Sequence, residues 1–217
     1  MTLALRDRLV TTAKRMSDLG LTPGLSGNAS VRTHSGFLIT PSAMPFPDLH
    51  GDDLVELRAD GTVRSDQRTP SSEWQLHRDL FAARPEIEAI VHTHSLYCTS
   101  IACLRRPIPA IHYMVALAGS SEIPCADYAT YGSNELAASV VRSLGTGDAC
   151  LMANHGMVAL GRTLDAALRL AAEVETLAGQ YWHASAIGTP HILPADEVAR
   201  VRTKFAAHGQ RKRGPAR

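Results

Sequence analysis

Apolar residues recur at three- and four-residue steps through residues 3–19, where Leu5, Leu9, Ala13 and Met16 share one face. The spacing predicts an amphipathic helix stopped by Gly20. A second helix is expected to start at Ser71-Ser72-Glu73, turn Leu76, Leu80 and Phe81 inward, and end before Pro85. Further helices are expected over residues 95–104, over 133–144 bounded by Gly145-Thr146-Gly147, from Thr163 to about Ile187, and from Pro194 to about Ala207. On the long helix Leu170, Val174, Leu177 and Tyr181 share the apolar side, which leaves Glu173 and Glu175 to a solvated or intersubunit face. Between the helical segments lie short runs that read as strands: one entered from a Gly-rich turn at 22–32, Phe37–Thr40, residues 88–94, and two in 149–160 flanking Asn154-His155-Gly156. Asp48 to Arg64 reads as a hairpin turning at Ala59-Asp60-Gly61. This alternation predicts an α/β fold.

A chain of 217 residues with 45% apolar residues fits one sizeable domain, and nothing divides it. The expectation is a single domain over 1–208 followed by a short basic, disordered tail, 209–217. A net charge of +1 supplies no global field for nucleic acid or an anionic membrane, so neither is expected as a partner. No apolar run approaches the ~20 residues that cross a bilayer. The first residues mix Leu3, Leu5 and Leu9 with Arg6, Asp7 and Arg8, unlike a signal peptide, so a cytoplasmic location is expected. Cys98, Cys103, Cys125 and Cys150 form no Cys-x-x-Cys unit and read as free thiols of a reducing compartment.

The chemistry concentrates in three segments. His92 and His94 lie two apart on an expected strand, so their side chains face the same way and can reach one ion. A His-x-His pair alone is a weak signal. Catalytic zinc usually takes three protein ligands and keeps a position open. His155, at the end of another strand, is the best third ligand, and Glu73 supplies a carboxylate that closes the set or acts as a base beside it. The spacing does not by itself fix a reaction. Two other stretches can bind an anion. The turn Ser26-Gly27-Asn28 can aim N–H groups and an amide at a phosphate, although on its own the motif is weak and an ordinary turn is the favoured reading. Ser71 and Ser72 either merely start a helix or use its N-terminus as an anion site.

These segments are also what make the chain recognisable. Ser26-Gly27-Asn28-Ala29-Ser30-Val31-Arg32, Ile39-Thr40-Pro41-Ser42, Pro70-Ser71-Ser72-Glu73-Trp74, Val91-His92-Thr93-His94 and Asn154-His155-Gly156 stand in the order and at the intervals of the class II aldolase/adducin family, which the chain resembles over roughly residues 5–208. Ile108-Pro109-Ala110-Ile111-His112-Tyr113-Met114 and Ile123-Pro124-Cys125-Ala126-Asp127-Tyr128-Ala129-Thr130 are similar to its fuculose-phosphate aldolase branch in particular.

The resemblance implies one domain with a largely antiparallel central sheet flanked by helices on both faces. It implies Zn²⁺ held by Glu73, His92, His94 and His155, with Glu73 also catalytic. A substrate phosphate would be bound by Ser26, Gly27, Asn28, Ser42, Ala43, Ser71 and Ser72. Tyr113 would donate a proton in the site of a neighbouring subunit, within a homotetramer whose sites lie between subunits. The implied reaction is retro-aldol cleavage of a phosphorylated sugar: L-fuculose 1-phosphate or a related deoxy- or methylthio-pentulose 1-phosphate. It would release dihydroxyacetone phosphate and a small aldehyde such as L-lactaldehyde. Two departures stand out: Ala43 where the family commonly has Gly, and His208 where a Tyr meets the aldehyde. Pentulose-phosphate 4-epimerases, sugar-acid phosphate decarboxylases and the non-catalytic adducin-like head share the scaffold, but the adducin reading expects lost metal ligands, and all four are present.

Overall fold

The central strands carry apolar side chains on both faces, so the sheet they build must be covered twice. In a computed structural model, which describes residues 3–211 and the side chains through residue 207, this is what the chain does. Seven strands form one sheet: β1 (Asn28–Arg32), β2 (Gly36–Ile39), β3 (Val55–Arg58), β4 (Ala89–Thr93), β5 (Cys125–Ala126), β6 (Ala149–Met152) and β7 (Gly156–Gly161). Their order is β3-β2-β1-β4-β7-β6-β5. Every pairing is antiparallel except that of β5 with β6.

Alternation along the strands sorts the residues between two cores. Ala29, Val31, Ala89, Val91, Met157 and Ala159 face one side, covered by α1 (Leu3–Asp18), α3 (Leu96–Cys103), α5 (Leu164–Ile187) and part of α6 (Ala195–Arg211). Ile90, Val158, Leu160, Cys150 and Met152 face the other, covered by α2 (Trp74–Ala83) and α4 (Asn134–Leu144). Parity therefore turns Asn28, Ser30 and His92 toward the α2 side, and the register sets Asn28 directly opposite His92. Arg32 fixes the far end of α2: its guanidinium lies 4.7 Å from the Phe81 ring centroid and donates to the carbonyls of Phe81, Arg84 and Ile87.

Three expectations change. The hairpin at 48–64 forms only around its turn: residues 46–48 and 51–53 are single 3-10 turns, and beyond Asp60-Gly61 the returning chain makes no strand, meeting β3 at a Leu57–Val63 bridge where Arg58 N–H donates to Thr62 O at 3.0 Å. Gln67 takes the place of the missing strand, its side-chain oxygen accepting from Glu56 N–H at 2.6 Å and its amide donating to Glu56 O at 3.3 Å. Glu175 is not a solvated charge. Its two oxygens accept from the N–H groups of Tyr97 and Cys98 at 2.8 and 2.9 Å, satisfying the first turn of α3 just beyond His94. The last helix runs past Ala207 to Arg211, and the remaining basic tail, 212–217, lies outside the described residues. No helix among the described residues is long and apolar enough to cross a membrane.

Candidate active site

Four residues from three parts of the chain meet at one end of the sheet. Glu73 precedes α2, His92 is on β4 with His94 one residue past its end, and His155 lies in the turn between β6 and β7. Each offers one ligand atom, and these atoms all lie within 4.8 Å of one another. His92 Nε2 is 3.0 Å from His94 Nε2 and 2.9 Å from Glu73 Oε2, and His155 Nε2 is 3.3 Å from Glu73 Oε1. The three imidazoles stand edge to face with centroids 4.8–5.0 Å apart.

Close backbone approach makes this meeting feasible. A Cβ on Gly156 would fall 2.2 Å from Thr93 O, so only glycine lets the His155 turn come this near β4. Gly27, at φ +80°, has the same constraint against His92 O, 2.8 Å from where its Cβ would be.

The electrostatics suit a cation. Burial alone would raise the Glu73 carboxyl, but the imidazoles of His92 and His155, with the Asn28 amide, outweigh it and hold the group far below the usual carboxylate range. Burial opposes charge on His92, yet the adjoining carboxylate raises its pKa. His94 is pushed down to about 3 and His155 to about 4, by burial first and then by His92. At neutral pH both therefore present lone pairs. His92 Nδ1 donates to Met157 O at 2.9 Å, which leaves Nε2 facing the cluster. Glu73 Oε1 is buried and accepts no hydrogen bond among the described residues. An orphaned anionic oxygen beside three imidazole nitrogens fits a divalent metal.

Beside the cluster opens a cavity of about 350 Å³. All seven residues expected to hold phosphate line it: Ser26, Gly27 and Asn28 from the β1 turn, Ser42 and Ala43 after β2, Ser71 and Ser72 before α2. Among the described residues no Lys or Arg lines it, so an anion there would depend on neutral donors and the N-terminus of α2. The Ser42 N–H already donates to Thr69 O and the Ser71 N–H to Thr40 O, which leaves the hydroxyls at those two positions. Ala43 adopts φ 54°, the left-handed backbone that glycine takes without cost.

Some placements add to the sequence reading. Tyr128 and Tyr131 line the cavity, as does Asn154 at φ 55°. Arg105, given no chemistry from sequence, donates to Asn154 Oδ1 at 2.8 Å. Tyr113 is not brought to the cavity of its own chain: it opens the 3-10 segment Tyr113–Ala118, 47% exposed, beside His112 and Phe205. The His208 side chain lies outside the described residues.

The fold agrees with the comparisons with known proteins. The chain belongs to the class II aldolase and adducin family, whose model, the Class II Aldolase and Adducin N-terminal domain, matches residues 7–182. Among curated relatives, a 5-methylthioribulose-1-phosphate/5-deoxyribulose-1-phosphate aldolase of Rhodospirillum rubrum is 48% identical over 214 residues, 99% of this chain and 96% of the relative. An L-fuculose phosphate aldolase of Haemophilus influenzae is 41% identical over 208 residues, 95% and 96% of the two chains. Among solved structures, an L-fuculose 1-phosphate aldolase superposes with a TM-score of 0.92 at 36% identity, covering 95% of this chain and 98% of the other.

Proposed function

We propose that the protein is a zinc-dependent aldolase that cleaves a ketose 1-phosphate into dihydroxyacetone phosphate and a small aldehyde. The observation that carries this reading is the buried, unpaired Glu73 oxygen among three imidazoles, opening onto a pocket lined with hydroxyls at a helix N-terminus. The near full-length relatives add the substrate class: methylthioribulose and deoxyribulose 1-phosphates at 48% identity, fuculose phosphate at 41%.

When bound by Glu73, His92, His94 and His155, a divalent ion would supply Lewis-acid stabilisation of the negative charge that develops as the carbon–carbon bond breaks. The chain's own residues do the rest. Hydroxyls of Ser42, Ser71 and Ser72, beside the Ser26–Asn28 turn, anchor the phosphate, which fixes the reacting carbons near Glu73. In cleavage the hydroxyl that becomes the aldehyde loses its proton, and the bonding pair stays on the carbon beside the ketone. That carbon then takes up a proton. Glu73 is the acid/base group at this carbon; in the reverse, condensing direction its ionised form removes the same proton. Tyr113 of a neighbouring copy handles the proton at the aldehyde oxygen, in a homotetramer with sites between subunits. Its half-exposed position away from its own pocket supports that role.

Incubating the zinc-loaded protein with methylthioribulose, deoxyribulose and fuculose 1-phosphates, with identification of both products, tests the reading. Chelator-sensitive release of dihydroxyacetone phosphate from at least one is expected. No release from any of them with metal bound would instead indicate epimerisation or decarboxylation on this scaffold.

A further inference from the structure

One buried titratable group close to the site takes no part in the mechanism above. His77 is fully buried in the first turn of α2, four residues after Glu73, which stands at the N-terminus of that helix. Asn28 and Ser30, two apart on β1, share the strand face that α2 covers. The two pairs interlock. His77 Nε2 contacts Asn28 Oδ1, His77 Nδ1 lies 2.6 Å from Ser30 Oγ, and Asn28 Nδ2 donates to Glu73 Oε2 at 3.0 Å.

Every direction in this chain follows from its charged end. An ionised carboxylate only accepts, so the Asn28 NH₂ must face Glu73, and its carbonyl oxygen must then face His77. A carbonyl only accepts, so His77 carries its proton on Nε2. Its Nδ1 is left as an acceptor, and the Ser30 hydroxyl donates to it. The ring is neutral, since burial pushes its pKa down to about 3. Glu73 sets which end of the Asn28 amide faces it, and His77 holds the other end: without the His77 donor, Asn28 Oδ1 loses its partner and the amide is held from one side only.

We propose that His77 is a positioning residue that locks the Asn28 amide toward Glu73, and through it holds the Glu73 carboxylate where it closes the metal cluster. This deepens the proposed aldolase reading and rests on it. Outer partners of metal ligands typically carry about 10–100-fold in metal affinity or activity.

The test compares wild type with His77→Leu, His77→Gln and Ser30→Ala, using Zn²⁺ affinity by competition with a chromophoric chelator, kcat and KM, and thermal melting. His77→Leu, melting cooperatively, should lose about 10–100-fold in zinc affinity and in kcat, with KM changed much less. Gln keeps an N–H near the Nε2 position and should recover most of both losses. If the Leu variant does not fold, Ser30→Ala decides, because it removes the hydrogen bond at Nδ1 that holds the ring against Asn28; a zinc affinity about threefold or more below wild type is expected. The ¹⁵N shifts of the His77 ring should report a neutral Nε2–H tautomer at pH 7. Wild-type zinc affinity and kcat in folded His77→Leu, or in Ser30→Ala where Leu does not fold, would overturn the proposal, as would an Nδ1–H ring. A wild-type protein that binds no zinc would instead bring down the aldolase reading itself.

Discussion

Glu73 Oε2 lies 2.9 Å from His92 Nε2 while Glu73 Oε1 lies 3.3 Å from His155 Nε2, so one carboxylate bridges β4 and the β6–β7 turn. Each oxygen faces an imidazole nitrogen, and only Oε2 receives a hydrogen bond, from Asn28. That asymmetry leaves Oε1 as the oxygen most open to a proton or a cation.

Replacing Glu73 by Gln keeps the shape and removes both charge and basicity. A positioned acid/base group typically contributes about 10²–10⁴-fold, so kcat for ketose 1-phosphate cleavage should fall by that order in the zinc-loaded variant. Single-turnover kinetics on protein with its metal content measured checks this. Near wild-type cleavage with zinc bound would remove Glu73 from the acid/base role.

Ala43 in the left-handed region is a residue whose Cβ costs stability, on the order of 1 kcal/mol. Ala43→Gly should raise the unfolding free energy in urea by about 0.5–1 kcal/mol, with inorganic phosphate inhibiting as before. A less stable Gly variant would show that the loop gains more from the methyl group than the backbone loses.

His77 makes stability depend on pH. Its unfolded pKa is near 6.5 and its folded value about 3, so the unfolded chain binds the extra proton. The contribution of the neutral buried ring is complete above pH 6.5 and is lost as pH falls toward 3. By pH 5 the loss amounts to about 2 kcal/mol. Metal-free wild type should therefore lose stability between pH 6.5 and 5 more steeply than His77→Gln. Equal slopes would contradict a neutral buried ring.

Tyr113 gives a prediction across subunits. Tyr113→Phe and His94→Ala homo-oligomers should each be nearly inactive, one lacking the proton donor and the other a metal ligand. Subunit mixtures of the two should regain activity, because some sites then combine an intact cluster with an intact tyrosine. Absence of recovery after verified mixing would place the tyrosine and the metal in the same chain's site.

Most of the scaffold is visible in the sequence because helix and strand periods are local. Leu5, Leu9, Ala13 and Met16 mark α1 by themselves, and the parity of residues 88–94 already turns His92 and His94 the same way. The 48–64 hairpin misleads because Asp60-Gly61 does form a turn, whereas beyond the Leu57–Val63 bridge the outer edge of β3 is met by the Gln67 side chain, and no backbone period encodes that. Glu175 misleads for a similar reason: its helix face says solvent, and only the packing of α5 on α3 brings the N–H groups of Tyr97 and Cys98 to it.

In the site, Glu73, His92, His94 and His155 are strong residue types for a cation, and their grouping, which the structure shows, could be expected from sequence. The supporting chain could not. His77 at four residues from Glu73 and Ser30 at two from Asn28 are each commonplace spacings, and they acquire meaning only when α2 is laid across β1. Tyr128 and Tyr131 likewise sit in a segment with little regular structure, where no period says which way a side chain points.

The central claim is that the Glu73, His92, His94 and His155 cluster is a metal-dependent aldolase centre. The most direct measurement strips the protein with chelator, titrates Zn²⁺ back, and follows dihydroxyacetone phosphate release from methylthioribulose 1-phosphate. Release should rise in proportion to added metal and level off at about one ion per chain, the open three-ligand-plus-carboxylate site holding a single zinc. His94→Ala should stay flat over the same range. Equal release from stripped and reloaded protein, or no release once one zinc per chain is bound, would contradict it.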